Sequence, residues 1–290
     1  MRAAAFEYFA PRTVEEVLDF LARYGDDAKV LAGGQSLVPM MNMRLVRPAV
    51  VVDLNRVAGL RGVRLDGGSL RLGALVRQHA LELDGRIRAA VPLLAEAAPV
   101  IGHLQTRARG TIGGSVVHAD PAAELPACMI ALDAVLHLRS ARAERTCRAE
   151  DFFRGLLSTA LEADELLAEI EVPGPPEPRT GHGFAEVARR HGDFALVGAC
   201  AVVALDARGV CRHARLVIFG AGDAPRLARA TAALVGERPS ASRLVELGRA
   251  AADEIDGRGD LHATSEYRRR VAAGLAAQVL GAATARAEAA

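Results

Sequence analysis

The sequence predicts an α+β protein of two domains, and three observations carry this. Residues 13–54 alternate between helical spacing and short apolar runs, the pattern of a small α/β unit. Pro173-Gly174-Pro175-Pro176-Glu177-Pro178 then interrupts the chain with four prolines in six residues, which reads as an extended connector. Beyond it, three strand-like runs precede three helix-like runs, as expected for a small antiparallel sheet with helices on one face. A length of 290 residues suits one large or two medium domains.

The elements follow in order. Thr13-Val14-Glu15-Glu16 is a capping box; Val14, Val17, Leu18 and Leu21 keep helical spacing, and Gly25 stops the helix. Lys29 to Ala32 is a short strand, and Ala49 to Leu54 a buried-type strand, so the first ~55 residues form one subunit of structure. Val63-Arg64-Leu65 and Leu70-Arg71-Leu72 flank Asp66-Gly67-Gly68-Ser69, a β-hairpin. Leu83 to Ala98 contains a helix with Leu93 and Leu94 inward, Gly102 to Gly110 reads as a polar loop, and Pro121 to Leu132 as a helix. Ala134–Leu138 and Leu166–Val172 are strands. After the connector, Phe184–Arg190, Ala195–Leu205 and Arg215–Phe219 are strands, and Pro225–Val235, Ser240–Ile255 and Tyr267–Leu280 helices.

Composition excludes several functions. The net charge is +1, which gives no electrostatic case for nucleic acid or an anionic membrane. Aromatic residues make up 4%, with no Trp, so stacking platforms for single strands are missing. Cys128, Cys147, Cys200 and Cys211 form no C-x-x-C pair and read as buried, reduced thiols of a cytosolic protein, not as zinc or iron–sulfur ligands. No metal site is expected. The N-terminal residues lack a signal-peptide apolar stretch, and no segment is apolar enough to span a bilayer.

Two double-glycine turns stand out, 80 residues apart at Gly33-Gly34 and Gly113-Gly114. In Lys29-Val30-Leu31-Ala32-Gly33-Gly34-Gln35-Ser36-Leu37-Val38-Pro39, the glycines end a strand and Pro39 suits the first turn of a helix. Adjacent glycines admit close backbone approach and direct successive N–H groups at one point, a geometry suited to phosphate or pyrophosphate. The second turn follows Gly110 in Thr111-Ile112-Gly113-Gly114-Ser115. Either the two turns converge on the phosphates of a dinucleotide, or they are unrelated structural turns.

These two stretches, with His118-Ala119-Asp120-Pro121-Ala122-Ala123-Glu124-Leu125-Pro126, Arg189-Arg190-His191-Gly192-Asp193-Phe194-Ala195 and Ser265-Glu266-Tyr267-Arg268-Arg269, resemble the FAD-binding medium subunits of molybdenum hydroxylases. That family includes aerobic carbon monoxide dehydrogenase and xanthine dehydrogenase. The resemblance spans nearly the whole chain. It implies an FAD-binding domain of the vanillyl-alcohol-oxidase (PCMH-like) type over residues 1–174, with subdomains of about 1–55 and 56–174, and a smaller C-terminal domain of the CO dehydrogenase flavoprotein type over 179–285.

By the same resemblance, Lys29, Val30, Leu31, Ala32, Gly33, Gly34, Gln35, Ser36, Leu37 and Val38 hold the pyrophosphate of a non-covalent FAD. Gly110, Thr111, Gly113, Gly114 and Ser115 complete the cradle, His118 and Glu124 (with Leu125 beside it) face the ribityl chain, and Asp120 is a nearby alternative. Ile101 lies against a ring, and Phe194 is the aromatic lid. Ser115 stands where relatives often carry Asn, which removes amide donors there. No catalytic residue is expected, because the flavin carries the redox chemistry. The implied complex adds a large molybdenum-cofactor subunit and a small [2Fe–2S] subunit as a dimer of heterotrimers, cytoplasmic or peripheral at the inner membrane face. It passes electrons to an external acceptor. A stand-alone FAD oxidoreductase and a flavin-free scaffold subunit are the alternatives.

Other features read as structural. Gly220-Ala221-Gly222 follows a strand but has Pro225 where a dinucleotide fingerprint needs its third glycine. Asp193 reads as a loop carboxylate before a catalytic base, and Tyr267-Arg268-Arg269-Arg270 as a basic helix face in a domain or subunit contact before a nucleic-acid site.

Overall fold

The computed structural model describes residues 2–290; Met1, where the expected first domain begins, lies outside them. The chain opens with β1 (Glu7–Phe9), α1 (Val14–Tyr24), β2 (Ala28–Leu31), α2 (Leu37–Asn42) and β3 (Val50–Asp53), and the strands form a parallel sheet in the order β1-β3-β2. The capping box is real. Thr13 Oγ1 accepts from the Glu16 N–H at 3.2 Å, and Glu16 Oε2 accepts from the Thr13 N–H at 3.4 Å. Val17, Leu18 and Leu21 pack against Val50 and Val52 of the sheet. β1 carries no readable pattern, because its three residues are too few to show a period and Tyr8 is exposed.

The next region holds β4 (Val63–Asp66), β5 (Ser69–Gly73), α3 (Gln78–Leu83), α4 (Gly85–Ala90), α5 (Pro92–Ala97), α6 (Leu104–Arg109), α7 (Ile112–His118) and α8 (Glu124–Ala131). It continues through β6 (Val135–Arg139), β7 (Glu144–Arg148), α9 (Ala149–Phe152), β8 (Phe153–Gly155), β9 (Ser158–Thr159) and β10 (Leu166–Val172). Five strands make an antiparallel sheet in the order β4-β5-β10-β6-β7. The helical signal within Leu83–Ala98 is carried by two short helices, α4 and α5. Asp84 caps α4, its Oδ1 accepting from the Arg86 N–H at 2.9 Å, and Pro92 starts α5 at a position that needs no N–H donor. Leu93 and Leu94 are buried as expected. The stretch expected as a polar loop contains α6. Its one buried side chain is Arg107, so no apolar period announces the helix.

The C-terminal region holds β11 (Arg179–Ala188), β12 (Ala195–Leu205), β13 (Cys211–Phe219), β14 (Arg226–Leu227), α10 (Ala241–Asp253) and α11 (Ser265–Ala289). The strands form an antiparallel sheet in sequence order. The helix expected at Pro225–Val235 is instead β14 on the edge of β13, followed by a 3-10 turn at Arg229–Leu234; the Ala228 N–H donates to Leu216 O, continuing the edge pairing. One face of the sheet packs on α10 and α11. Gly181 and Gly183 let α11 lie directly on β11, since a Cβ at either would meet the backbone of Ala283 or Val279. The other face joins the first core: Cys200, Val202, Val217 and Phe219 pack with α8, all of whose residues are buried. Cys128, Cys200 and Cys211 are buried free thiols, whereas Cys147 is only half-buried on β7, near the sheet edge.

The Gly220 turn is structural. Its N–H donates to Pro121 O at 2.8 Å, and Arg268 Nη1 donates to its carbonyl at 2.6 Å. Arg268 is buried and also pairs with Asp260 at 2.6 Å. The basic helix face therefore points one of its arginines inward, as an intradomain tie.

Candidate functional site

The two double-glycine turns meet. A Cβ on Gly33 would lie 2.5 Å from Arg109 O and 2.7 Å from Gly110 Cα, so the first turn rests directly on the approach to the second. A Cβ on Gly114 would lie 3.8 Å from Ala32 Cβ across the same junction. Gly34 adopts φ +73°, which lets the chain reverse between β2 and α2.

The turns differ in what they offer. Among the described residues, the N–H groups of Gly33, Gly34, Gln35, Ser36 and Leu37 find no acceptor within the chain. They form a row of free donors leading into α2, while the Gln35 side chain closes the turn by donating to Gly33 O at 3.1 Å. In the second turn the donors are spent. Ile112 N–H goes to Val76 O (2.9 Å), Gly113 N–H to Ala74 O (3.0 Å), Gly114 N–H to Thr111 Oγ1 (3.1 Å) and Ser115 N–H to Thr111 O (3.1 Å). Its glycines serve close packing: a Cβ on Gly113 would stand 2.5 Å from Ala74 Cβ. What it presents is Gly114, which is exposed, and half-buried Ser115.

Charge converges on the same junction. Arg77 Nη1 donates to Arg109 O, and burial followed by the nearby Arg61 and Arg109 guanidiniums lowers its pKa. Three guanidiniums that repel one another beside a row of free N–H donors favour a bound anion, whose charge relieves the repulsion.

The other expected site residues are more dispersed. Lys29 is exposed, Val30 and Leu31 are half-buried on β2, Leu37 is half-buried and Val38 is exposed. Ile101 is buried, with its carbonyl accepting from Arg107 at 3.1 Å. His118 is half-buried at the end of α7, and Asp120 Oδ1 accepts from the Ala122 N–H at 2.9 Å. Glu124 is buried in the first turn of α8, and its desolvation raises its pKa to about 7. Phe194 is 64% exposed. Leu125 is fully buried, at 0% exposure, in the first core. Asp193 accepts no hydrogen bond through its side chain among the described residues; its N–H closes the turn by donating to Arg190 O at 3.1 Å, and the His191 and His103 rings lie near-parallel with centroids 6.4 Å apart.

Two groups had no signal in the sequence. Asn55 and Arg77 tie the turns together from behind. Glu186 on β11 carries a buried oxygen without a partner, and burial and the neighbouring Glu124 raise its pKa to about 8. All three are isolated polar residues in runs with no motif.

Comparison with known proteins matches this arrangement along the chain. Residues 4–175 match the FAD binding domain in molybdopterin dehydrogenase, and residues 182–283 the CO dehydrogenase flavoprotein C-terminal domain. The 6-hydroxypseudooxynicotine dehydrogenase complex subunit alpha of Paenarthrobacter nicotinovorans is 40% identical over 272 residues, covering 93% of this chain and 92% of that one. The structure of carbon monoxide dehydrogenase from Hydrogenophaga pseudoflava superposes with TM-score 0.95 at 36% identity, covering 99% of each chain. Quinoline 2-oxidoreductase from Pseudomonas putida 86 superposes with TM-score 0.92 at 35% identity, also over 99% of each chain. With both domains matched in order and the glycine turns in contact, the chain belongs to the family of FAD-binding medium subunits of the molybdopterin dehydrogenases.

Proposed function

We propose that this chain is the FAD-binding, electron-transferring subunit of a heterotrimeric molybdenum hydroxylase. The observation that carries the reading is the row of unpaired N–H groups from Gly33 to Leu37, held against the second glycine turn. FAD, when bound, would supply the redox chemistry between the [2Fe–2S] clusters of a small subunit and an external acceptor. The chain's own residues bind and orient it. Gly33 to Leu37 would donate to the pyrophosphate, Ser115 would add its hydroxyl, and the 110–114 backbone would form the wall behind them. His118, Asp120 and Glu124 would line the ribityl side, Ile101 a ring face, and exposed Phe194 would cover the isoalloxazine.

The domain division at 1–174 and 179–285, a cytoplasmic dimer of heterotrimers and a large molybdenum subunit belong to the same reading. The substrate is a property of that large subunit. Relatives named for a nicotine derivative, carbon monoxide and quinoline all share this chain's fold, so the fold selects none of them.

The test is the visible spectrum of the chain purified with its co-expressed neighbours, followed by heat release of the flavin. FAD in the supernatant, with iron–sulfur absorption from the co-purifying chains, is expected. Bleaching by a small substrate without any partner would instead establish a stand-alone oxidoreductase. A folded, partner-bound chain without flavin would establish the scaffold.

A further inference from the structure

The geometry points to Arg77 and Asn55 as positioning residues that set the spacing between the two glycine turns, and through it the grip on the cofactor pyrophosphate. This rests on the FAD reading above. Asn55 follows β3, where the Asp53 side chain caps the turn: Asp53 Oδ1 accepts from Asn55 N–H at 2.8 Å and from Asn55 Nδ2 at 2.6 Å. The same Nδ2 donates to Ala32 O at 2.8 Å, the carbonyl that leads into Gly33. Asn55 Oδ1 accepts from Arg77 Nη2 at 2.7 Å. Arg77 Nη1 donates to Arg109 O, the atom a Cβ on Gly33 would strike. A continuous chain of hydrogen bonds thus runs from Ala32, the last residue before the first turn, to Arg109 on the approach to the second.

The amide orientation of Asn55 follows from its partners. Arg77 is only a donor and Ala32 O only an acceptor, so Oδ1 must face the first and Nδ2 the second. The anchor extends outward, since Asp53 Oδ2 accepts from Tyr8 OH at 2.6 Å and Arg61 donates to Asn55 O. The chemistry also explains the residue types. The guanidinium fork reaches two acceptors in one plane, which a lysine ammonium on a flexible stem does not reproduce. Neither side chain has to touch the cofactor; each fixes a carbonyl whose neighbouring residues do.

The experiment titrates FAD into the flavin-free full chain, as wild type, Arg77→Lys, Asn55→Asp and the double variant. Competition by ADP, which carries the pyrophosphate without the flavin, is measured alongside the thermal midpoint of each flavin-free chain. Arg77→Lys keeps the charge but loses the fork; Asn55→Asp keeps the shape but sets an acceptor against Ala32 O. Each single variant is expected to raise the Kd for FAD and for ADP alike by about tenfold or more, the scale of a lost charge-assisted or amide hydrogen bond, with the flavin-free midpoint little changed. The double variant is expected to bind about as weakly as the worse single, because both act on one chain of bonds. Affinities within about twofold of wild type in both single variants would overturn the inference. So would a fall in the midpoint that accounts for all of the lost affinity, or loss of FAD binding with ADP binding intact. A wild-type chain that takes up no FAD fails the functional reading itself, whereas wild-type uptake with unaltered variants fails only the clamp.

Discussion

At the residue scale, Gly33 is tightly constrained by backbone. Its neighbours at 2.5 and 2.7 Å are backbone atoms, Arg109 O and Gly110 Cα, so no side-chain rotation can make room. Gly33→Leu is therefore expected to push the two turns apart and abolish FAD retention, read as flavin released by heat from the purified variant. Full occupancy in that variant would refute the cradle. The contrast with Gly25 is instructive, since nothing lies within 4 Å of a Cβ there and its role is the helix stop alone.

At the element scale, β11 faces two ways. Gly181, Gly183, Ala185 and Val187 turn toward α11 and the second core, while Phe184 packs on the first core and Glu186 lies near Glu124 of α8. Burial, reinforced by the Glu124 charge, raises the Glu186 pKa to about 8, so the folded protein holds this carboxyl neutral where an unfolded chain ionises it. The sign follows: between the ordinary carboxylate range and about pH 8 the folded state binds the extra proton, and stability falls as pH rises. Glu186→Gln removes the titration. In the flavin-free chain it is expected to gain on the order of 2 kcal/mol over wild type at pH 9 and almost nothing at pH 5, read from thermal melts across that range. A parallel pH dependence in variant and wild type would exclude it.

At the scale of the whole molecule, the two domains share one seam. Glu96 of α5 receives a fork from Arg286 of α11, at 2.6 and 3.1 Å, and His182 Nε2 of β11 at 3.2 Å. Burial alone would raise the Glu96 pKa, yet the His182 and Arg286 contacts outweigh it and hold the group at about 2. Its contribution is present above the ordinary carboxylate pKa and is lost as pH falls from there through about 2. Because the pair is partly solvated, Glu96→Gln is expected to cost on the order of 2 kcal/mol at pH 7 and little at pH 2. Urea melts at the two pH values check this, and an equal loss at both would show that packing, not charge, is what the substitution removes.

The sequence by itself determined the elements whose signals are local. The capping box, the hairpin around Gly67-Gly68, the strands Leu166–Val172 and Ala195–Leu205 and the proline connector follow from period and turn chemistry within a few residues. The glycine turns were legible as candidate anion sites for the same reason. What only the tertiary structure decided is how those turns divide the work. Whether an N–H is free depends on what lies across from it: Gly113 finds Ala74 O and is satisfied, while Gly34 finds nothing and stays open. The same holds for the short helices around Asp84 and Pro92, for α6 with its buried arginine, for Leu125 in the core, and for Asn55 and Arg77. Asn55 and Arg77 have no periodic or spacing signature, because the bonds by which they join the turns span 22 or more residues, and such pairings are set by packing and not by the local chain.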